Sequence, residues 1–219
     1  MKRRLIIFSG FNQRAVVAML RTVSKLNVPK AIIAASHTDT IFATIYAKDV
    51  CAVRTSLELK IDLFIPVFEK LAKLFKGEEL IVAPSTETLI RLFLKNKTVL
   101  KKYSIILPVV SEELYLRISD KLNFNMLCQE NGIAVPLQYN KLEICPDKFV
   151  AKPKMYYSNY SRKFQIPVLI KTIEEKEMFM KKNRAEDFYY EELVEGESYY
   201  LLYYITKNHK IIKFSQKNI

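Results

Sequence analysis

Glycine is scarce, with 4 residues in a chain of 219. No G-x-x-x-x-G-K-[ST] loop occurs. The turn after the first apolar run lacks G-x-G-x-x-G, so dinucleotide binding has no support. Tryptophan is absent, and the 2 histidines, His37 and His209, have no convincing triad partners. Neither a G-x-S-x-G elbow nor an H-E-x-x-H pair is present. The 3 cysteines (Cys51, Cys128, Cys145) are odd in number, scattered and free of any C-x-x-C spacing. That argues against zinc and a disulfide framework, and for small buried thiols in a reducing compartment. No apolar run approaches the roughly 20 residues a membrane helix needs. Met1-Lys2-Arg3-Arg4 before Leu5-Ile6-Ile7-Phe8 imitates a signal peptide, but the apolar stretch is short and polar Asn12-Gln13-Arg14 follow it. It reads as a first strand, in a cytoplasmic protein with no membrane partner. Acids are outnumbered, 23 against 35 bases, for a net charge of +12. An anionic partner fits this excess: nucleotide phosphates, nucleic acid or a membrane surface. Lysines dispersed over solvated faces fit it as well, and they do occur along the whole chain.

What is present is a chain half hydrophobic and 26% charged, long enough for two modest domains or one large one. Its first half alternates two periodicities. Leu5–Ser9, Ala31–Ala35, Val50–Val53, Leu80–Ala83 and Ser104–Val109 read as buried strands. Between them, Val16, Met19, Leu20, Val23 and Leu26 form one helical stripe, with Asn12 as its N-cap. Ile61–Phe75 places Leu63, Phe64, Val67, Leu71 and Leu74 inward, and a further helix begins at Thr88. Strands alternating with helices predict a doubly wound parallel α/β sheet, with any ligand at the strands' carboxyl ends. This domain is assigned to residues 1–118.

Residues 119–219 read differently. Ser119-Asp120 resembles a cap before a short helix that stops at Gly132. Phe149-Val150-Ala151 forms a strand leading into Lys152-Pro153-Lys154. Thr172-Ile173-Glu174-Glu175 is a capping box. Asp187–Val194 is extended, and Tyr199–Ile205 with Ile211–Phe214 flank a polar turn as a hairpin. Lys121 lies in the first turn of the short helix; Lys152 and Lys154, two apart in a strand, share a face. Ammoniums delivered from rigid elements suit polyphosphate oxygens, and also an ordinary solvated surface. The extended Tyr190–Ser198 can offer backbone groups to an adenine edge and a carboxylate to ribose hydroxyls. It reads equally as an acidic surface loop.

The ordered segments SDKLNFNMLCQENGIAVP, FVAKPK and YYEELVEGESYYLLYY resemble the signature of the ATP-grasp superfamily, most nearly its carbamoyl-phosphate-synthase and biotin-carboxylase-like branch. The alternating first half resembles that family's preceding Rossmann-like domain, so the resemblance covers essentially the whole chain. It implies an α/β fold: a Rossmann-like parallel-sheet domain, then an ATP-grasp lid and the start of the core lobe. It also implies ATP as ligand. Lys121 would serve the phosphates and Lys152 the phosphates and the adenine; Lys154 is a candidate beside them because it shares the Lys152 face. Glu191 and Val194 would supply backbone to the adenine, with Glu192 beside them and Leu193 packed near the ring. The family's ribose-binding acid falls at Ser198, with Glu197 one position early and so on the opposite side of an extended chain. The lid turn Met155–Arg162 has no glycine to let backbone close on phosphate.

Ser198–Ile219 contains no Asp or Glu. The resemblance places the two magnesium ions of the complete enzyme on acids and an amide beyond the hairpin. The expectation is therefore the ATP-binding portion of a carboxylate ligase acting on a small carboxylate. As given it would be incomplete for catalysis: a fragment, half of a split enzyme needing a partner lobe, or a truncated product, with a homo-oligomer open to it. Two rivals stand beside this: a non-catalytic nucleotide sensor or interaction protein, and a basic nucleic-acid binder stacking bases on some of its 13 tyrosines.

Overall fold

The computed structural model describes residues 2–154, 157–158, 163–206 and 208–218. It divides into two compact units, Met1–Asp120 and Lys121–Ile219. In the first, β1 (Lys2–Phe8), α1 (Gln13–Lys25), β2 (Lys30–Ala34), β3 (Val50–Val53), α2 (Ile65–Leu74), β4 (Glu78–Ala83), α3 (Glu87–Lys95), α4 (Lys97–Lys102), β5 (Ile105–Ile106) and α5 (Glu112–Ser119) follow in order. The strands are all parallel, arranged β3-β2-β1-β4-β5. The strand order reverses between β1 and β4, the position where open α/β sheets hold ligands.

Both faces of this sheet are covered. Ile6, Phe8, Ile33, Leu80 and Val82 pack under Phe64, Phe68 and Leu71 of the α2 region and Leu89 and Phe93 of α3. Ile7, Ile32 and Ala34 pack under Val16, Leu20 and Val23 of α1. Four phenylalanines (Phe8, Phe64, Phe68 and Phe93) interlock at centroid distances of 5.4–6.0 Å. The covering helices explain why these strands read as continuous apolar runs rather than alternating ones.

Local departures from the sequence reading have local causes. Met19 and Leu26 of the expected stripe are exposed, because the buried face of α1 is Val16, Leu20 and Val23, with Val17 at its edge. Asn12 holds the N-cap in a left-handed conformation with no side-chain cap bond; its carbonyl accepts from Ala15 and Val16 instead. The segment 61–75 divides into a 3-10 turn at Ile61–Leu63 and α2, whose start is set by Pro66 in its first turn. The short helix expected after Ser119-Asp120 is present as Lys121–Glu130, but Ser119 itself belongs to a helix before it, α5. Ser111 caps α5, Glu112 and Glu113 favour its positive end, and it runs on to Ser119 with Asp120 closing it. Arg91 of α3 donates to Ser119 Oγ at 3.2 Å, tying α5 back to the sheet's helices.

The second unit contains α6 (Lys121–Glu130), β6 (Gln138–Tyr139), β7 (Phe149–Pro153), β8 (Tyr157–Ser158), β9 (Lys163–Phe164), β10 (Val168–Ile170), α7 (Ile173–Lys182), β11 (Phe188–Glu192), β12 (Tyr199–Ile205) and β13 (Ile211–Lys217). Strands β10-β7-β11-β6 form one antiparallel sheet. One of its faces packs Phe149, Ala151, Ile170, Phe188 and Tyr190 around Phe179 of α7. Thr172 caps α7 by accepting from Glu175 N–H, and the Glu175 carboxylate reaches back to Lys171 N–H at 2.7 Å. The expected hairpin is present as β12–β13, in antiparallel register from Tyr199↔Lys217 to Ile205↔Ile211. The expected lid turn Met155–Arg162, apart from strand β8, lies outside the described residues. Among the described residues no helix is long and apolar enough to cross a membrane.

Candidate functional site

The antiparallel sheet of the second unit has one apolar and one polar face. Along β7, Phe149 and Ala151 point into the apolar cluster, which leaves Val150 and Lys152 on the opposite side. On β11, Phe188 and Tyr190 belong to the cluster, so Tyr189 and Glu191 face with Lys152. The Glu191 carboxylate is 1% exposed, a position where an ion must be paired. It is paired: Lys152 Nζ donates to Oε2, and Asn125 Nδ2, from α6, donates to Oε1 at 2.6 Å. Lys152 keeps 29% of its side chain exposed, and an ammonium carries three donors, so donors remain for a ligand. Gln138 stands across the register from Glu191 on β6, and its Nε2 is a buried donor with no partner among the described residues.

The other candidates fall around this pair. Lys121 opens α6 and is exposed; it lies one helical turn before Asn125, on the same face. Lys154 lies past the end of β7, where period-two alternation no longer fixes its direction; its backbone N–H donates to Asp187 O at 2.8 Å. The Glu191 main chain is inside the ladder, in register with Val150 on one side and Gln138 on the other. Glu192 closes the strand: its N–H donates to Leu137 O at 2.8 Å, and its carboxylate accepts from Leu137 N–H at 3.3 Å. Backbone outside the ladder therefore begins at Leu193, which is half-buried, and Val194, which is exposed. Glu197 is at the base of the hairpin, ion-paired to Lys217 and accepting from the Tyr199 hydroxyl at 2.7 Å. Both contacts hold its carboxyl below the usual range, the Lys217 bond more than the Tyr199 bond. Ser198 is exposed, and its carbonyl accepts from Asn218 N–H at 2.8 Å.

The structure thus brings Lys152 and Glu191 into direct contact and adds Asn125 and Gln138, which sequence reasoning missed. A polar residue on a helix, or one in a short strand, looks like surface until its neighbours are known. The signal available was Asn125 itself, an amide four residues after Lys121. On the apolar side, burial, and to a lesser degree nearby Cys145, Glu143 and Glu186, pushes the Tyr190 phenol up to about 12; the hydroxyl donates to Ala185 O at 2.9 Å.

The first unit has its own buried polar cluster at the carboxyl end of its sheet. Asp39 accepts from Ser9 Oγ at 2.5 Å, Gln13 Nε2 at 2.6 Å, Ala35 N–H at 2.8 Å and Ile41 N–H at 2.9 Å. Burial raises its carboxyl, but these bonds, led by Ser9, outweigh that and hold it below the ordinary value. Gly10 is required beside it: φ is +88°, and a Cβ there would lie 2.1 Å from Ala35 Cβ. Arg54, 4% exposed, donates to Glu58 O at 3.1 Å and lies over the rings of Phe64 and Phe11. Burial lowers its pKa.

No protein-family model matches the chain, and no curated protein matches it. Solved structures do. N5-carboxyaminoimidazole synthase from Aspergillus clavatus, in complex with ADP and 5-aminoimidazole ribonucleotide, superposes with a TM-score of 0.62 at 9% identity, over 100% of this chain and 54% of its own. The biotin carboxylase domain of a single-chain bacterial carboxylase gives 0.61 at 12% identity, over 99% of this chain and 47% of its own. Both are ATP-grasp enzymes. The chain spans about half the length of the structures it matches, and at these identities the likeness carries the fold alone: an ATP-grasp-type fold, without distinction of branch.

Proposed function

We propose that this chain binds an adenine nucleotide on the polar face of its antiparallel sheet, as the ATP-binding portion of an ATP-grasp carboxylate ligase. The observation that carries the reading is Lys152: an ammonium on a rigid strand, tethered from behind by a buried carboxylate and open to solvent on its remaining side. That arrangement orients a cation toward a phosphate chain at little cost in side-chain entropy. The fold agrees, since one matched structure holds ADP. Lys121 supplies a second ammonium from α6, and the backbone beyond the end of β11 at Glu192 supplies an edge for the base. In the complete reaction a small carboxylate would attack the γ-phosphorus, forming an acyl phosphate as ADP leaves.

Magnesium is not assigned to this chain. Its described residues offer no group of three His, Cys, Asp or Glu placed to hold a metal ion, and Ser198–Ile219 carries no acid. The same donor set suits the second reading, a nucleotide-sensing protein that binds without turnover. Calorimetric titration with ATP tests the common premise. Lys152→Ala is expected to weaken binding at least about tenfold, the scale of a charge-assisted contact; unchanged affinity overturns the assignment.

A further inference from the structure

We infer that Asn125 is a positioning residue of the nucleotide site: through Glu191 it fixes where the Lys152 ammonium stands. This rests on the reading of Lys152 as a phosphate contact.

Glu191 has two carboxylate oxygens and is buried, so each oxygen needs a donor. The structure gives Oε2 to Lys152 and Oε1 to Asn125. The division matters. With Oε1 occupied by a neutral amide, the ammonium sits at one oxygen only and presents its other N–H groups outward. Without the amide, Oε1 is an unpaired acceptor in a buried site, and Lys152, already bonded to Oε2, is the charged donor at hand. The ammonium would then bridge both oxygens and withdraw from a ligand. A neutral donor does what a second cation could not: it satisfies the carboxylate without competing with Lys152 for its charge. The bond also spans elements, since α6 carries Asn125 and, one turn earlier, Lys121. One hydrogen bond therefore registers two of the candidate phosphate lysines, Lys121 and Lys152, against the same strand.

A double-mutant cycle separates this role from general support of the fold. ATP affinity is measured by calorimetry for the full chain, Asn125→Ala, Lys152→Met and the double variant, with folding checked by circular dichroism. The expected result is a loss of about tenfold for Asn125→Ala in the native background and no further loss in the Lys152→Met background. Asn125→Gln, which keeps the amide donor, should recover part of the affinity; it also serves as the probe if the alanine variant does not fold. Equal losses in both backgrounds, or no loss in the native one, overturn the inference while leaving Lys152 as a phosphate contact. If Lys152→Met binds ATP as well as the native chain does, the nucleotide reading fails, and this inference with it.

Discussion

The parallel sheet of the first unit and the β12–β13 hairpin of the second are both rich in apolar residues, and they end in opposite environments. Ile6, Ile32 and Ile33 are inaccessible to solvent, because helices cover both sides of their sheet. Every hairpin residue from Tyr199 to Ile205 is between 51% and 66% exposed. The hairpin is nevertheless patterned. Its register puts Tyr200, Leu202, Tyr204, Ile212 and Phe214 on one face, while the other mixes Tyr199, Leu201, Tyr203, Ile205 and Ile211 with Lys213 and Lys217. Hydrophobic content alone does not make a core; a second layer does, and a two-stranded ribbon has none of its own.

The contrast can be broken most strongly in the first unit. Phe64→Ala removes a ring that touches Phe8, Phe68 and Phe93 and should cost about 3–5 kcal/mol in urea unfolding. A loss under about 1 kcal/mol would mean this aromatic cluster is not packed as described. Asp39→Asn is next, at about 1–3 kcal/mol near neutral pH, because it disturbs a carboxylate with four donors. Its sign with pH is fixed. The folded carboxyl lies below its ordinary value, so its contribution is whole above about pH 4 and fades as pH falls through the folded value. The gap between the native chain and Asp39→Asn should therefore narrow in acid; a gap that stays constant would refute the bond network as its source. The smallest effect is expected in the hairpin, where Leu202→Ala should change stability by no more than about 0.5 kcal/mol. A cost above about 1 kcal/mol would reveal that the apolar face is buried in solution.

Much of the fold was legible because its signals are local. The strand runs at Leu5–Phe8 and Ala31–Ala34, the Thr172 capping box and the polar turn before Ile211 each depend on near neighbours in sequence, and each formed as read. The site was legible only in part. Lys152 stood out by following an apolar strand, but that its ammonium would be held by Glu191 depends on two strands pairing 39 residues apart. The ladder around Glu191, which engages its backbone on both sides, has the same origin. Helix α5 was missed because a short half-exposed amphipathic segment carries a weak periodic signal, although Ser111-Glu112-Glu113 announced its start.

The sequence by itself determined the alternation of strand and helix, the hairpin, the basic excess and the lack of any acid after Glu197, since these follow from composition and short-range periodicity. Only the tertiary structure decided which polar residues meet. Asn125, Lys152 and Glu191 come from a helix and two strands, and a buried carboxylate selects its donors by proximity in space, which no local pattern encodes.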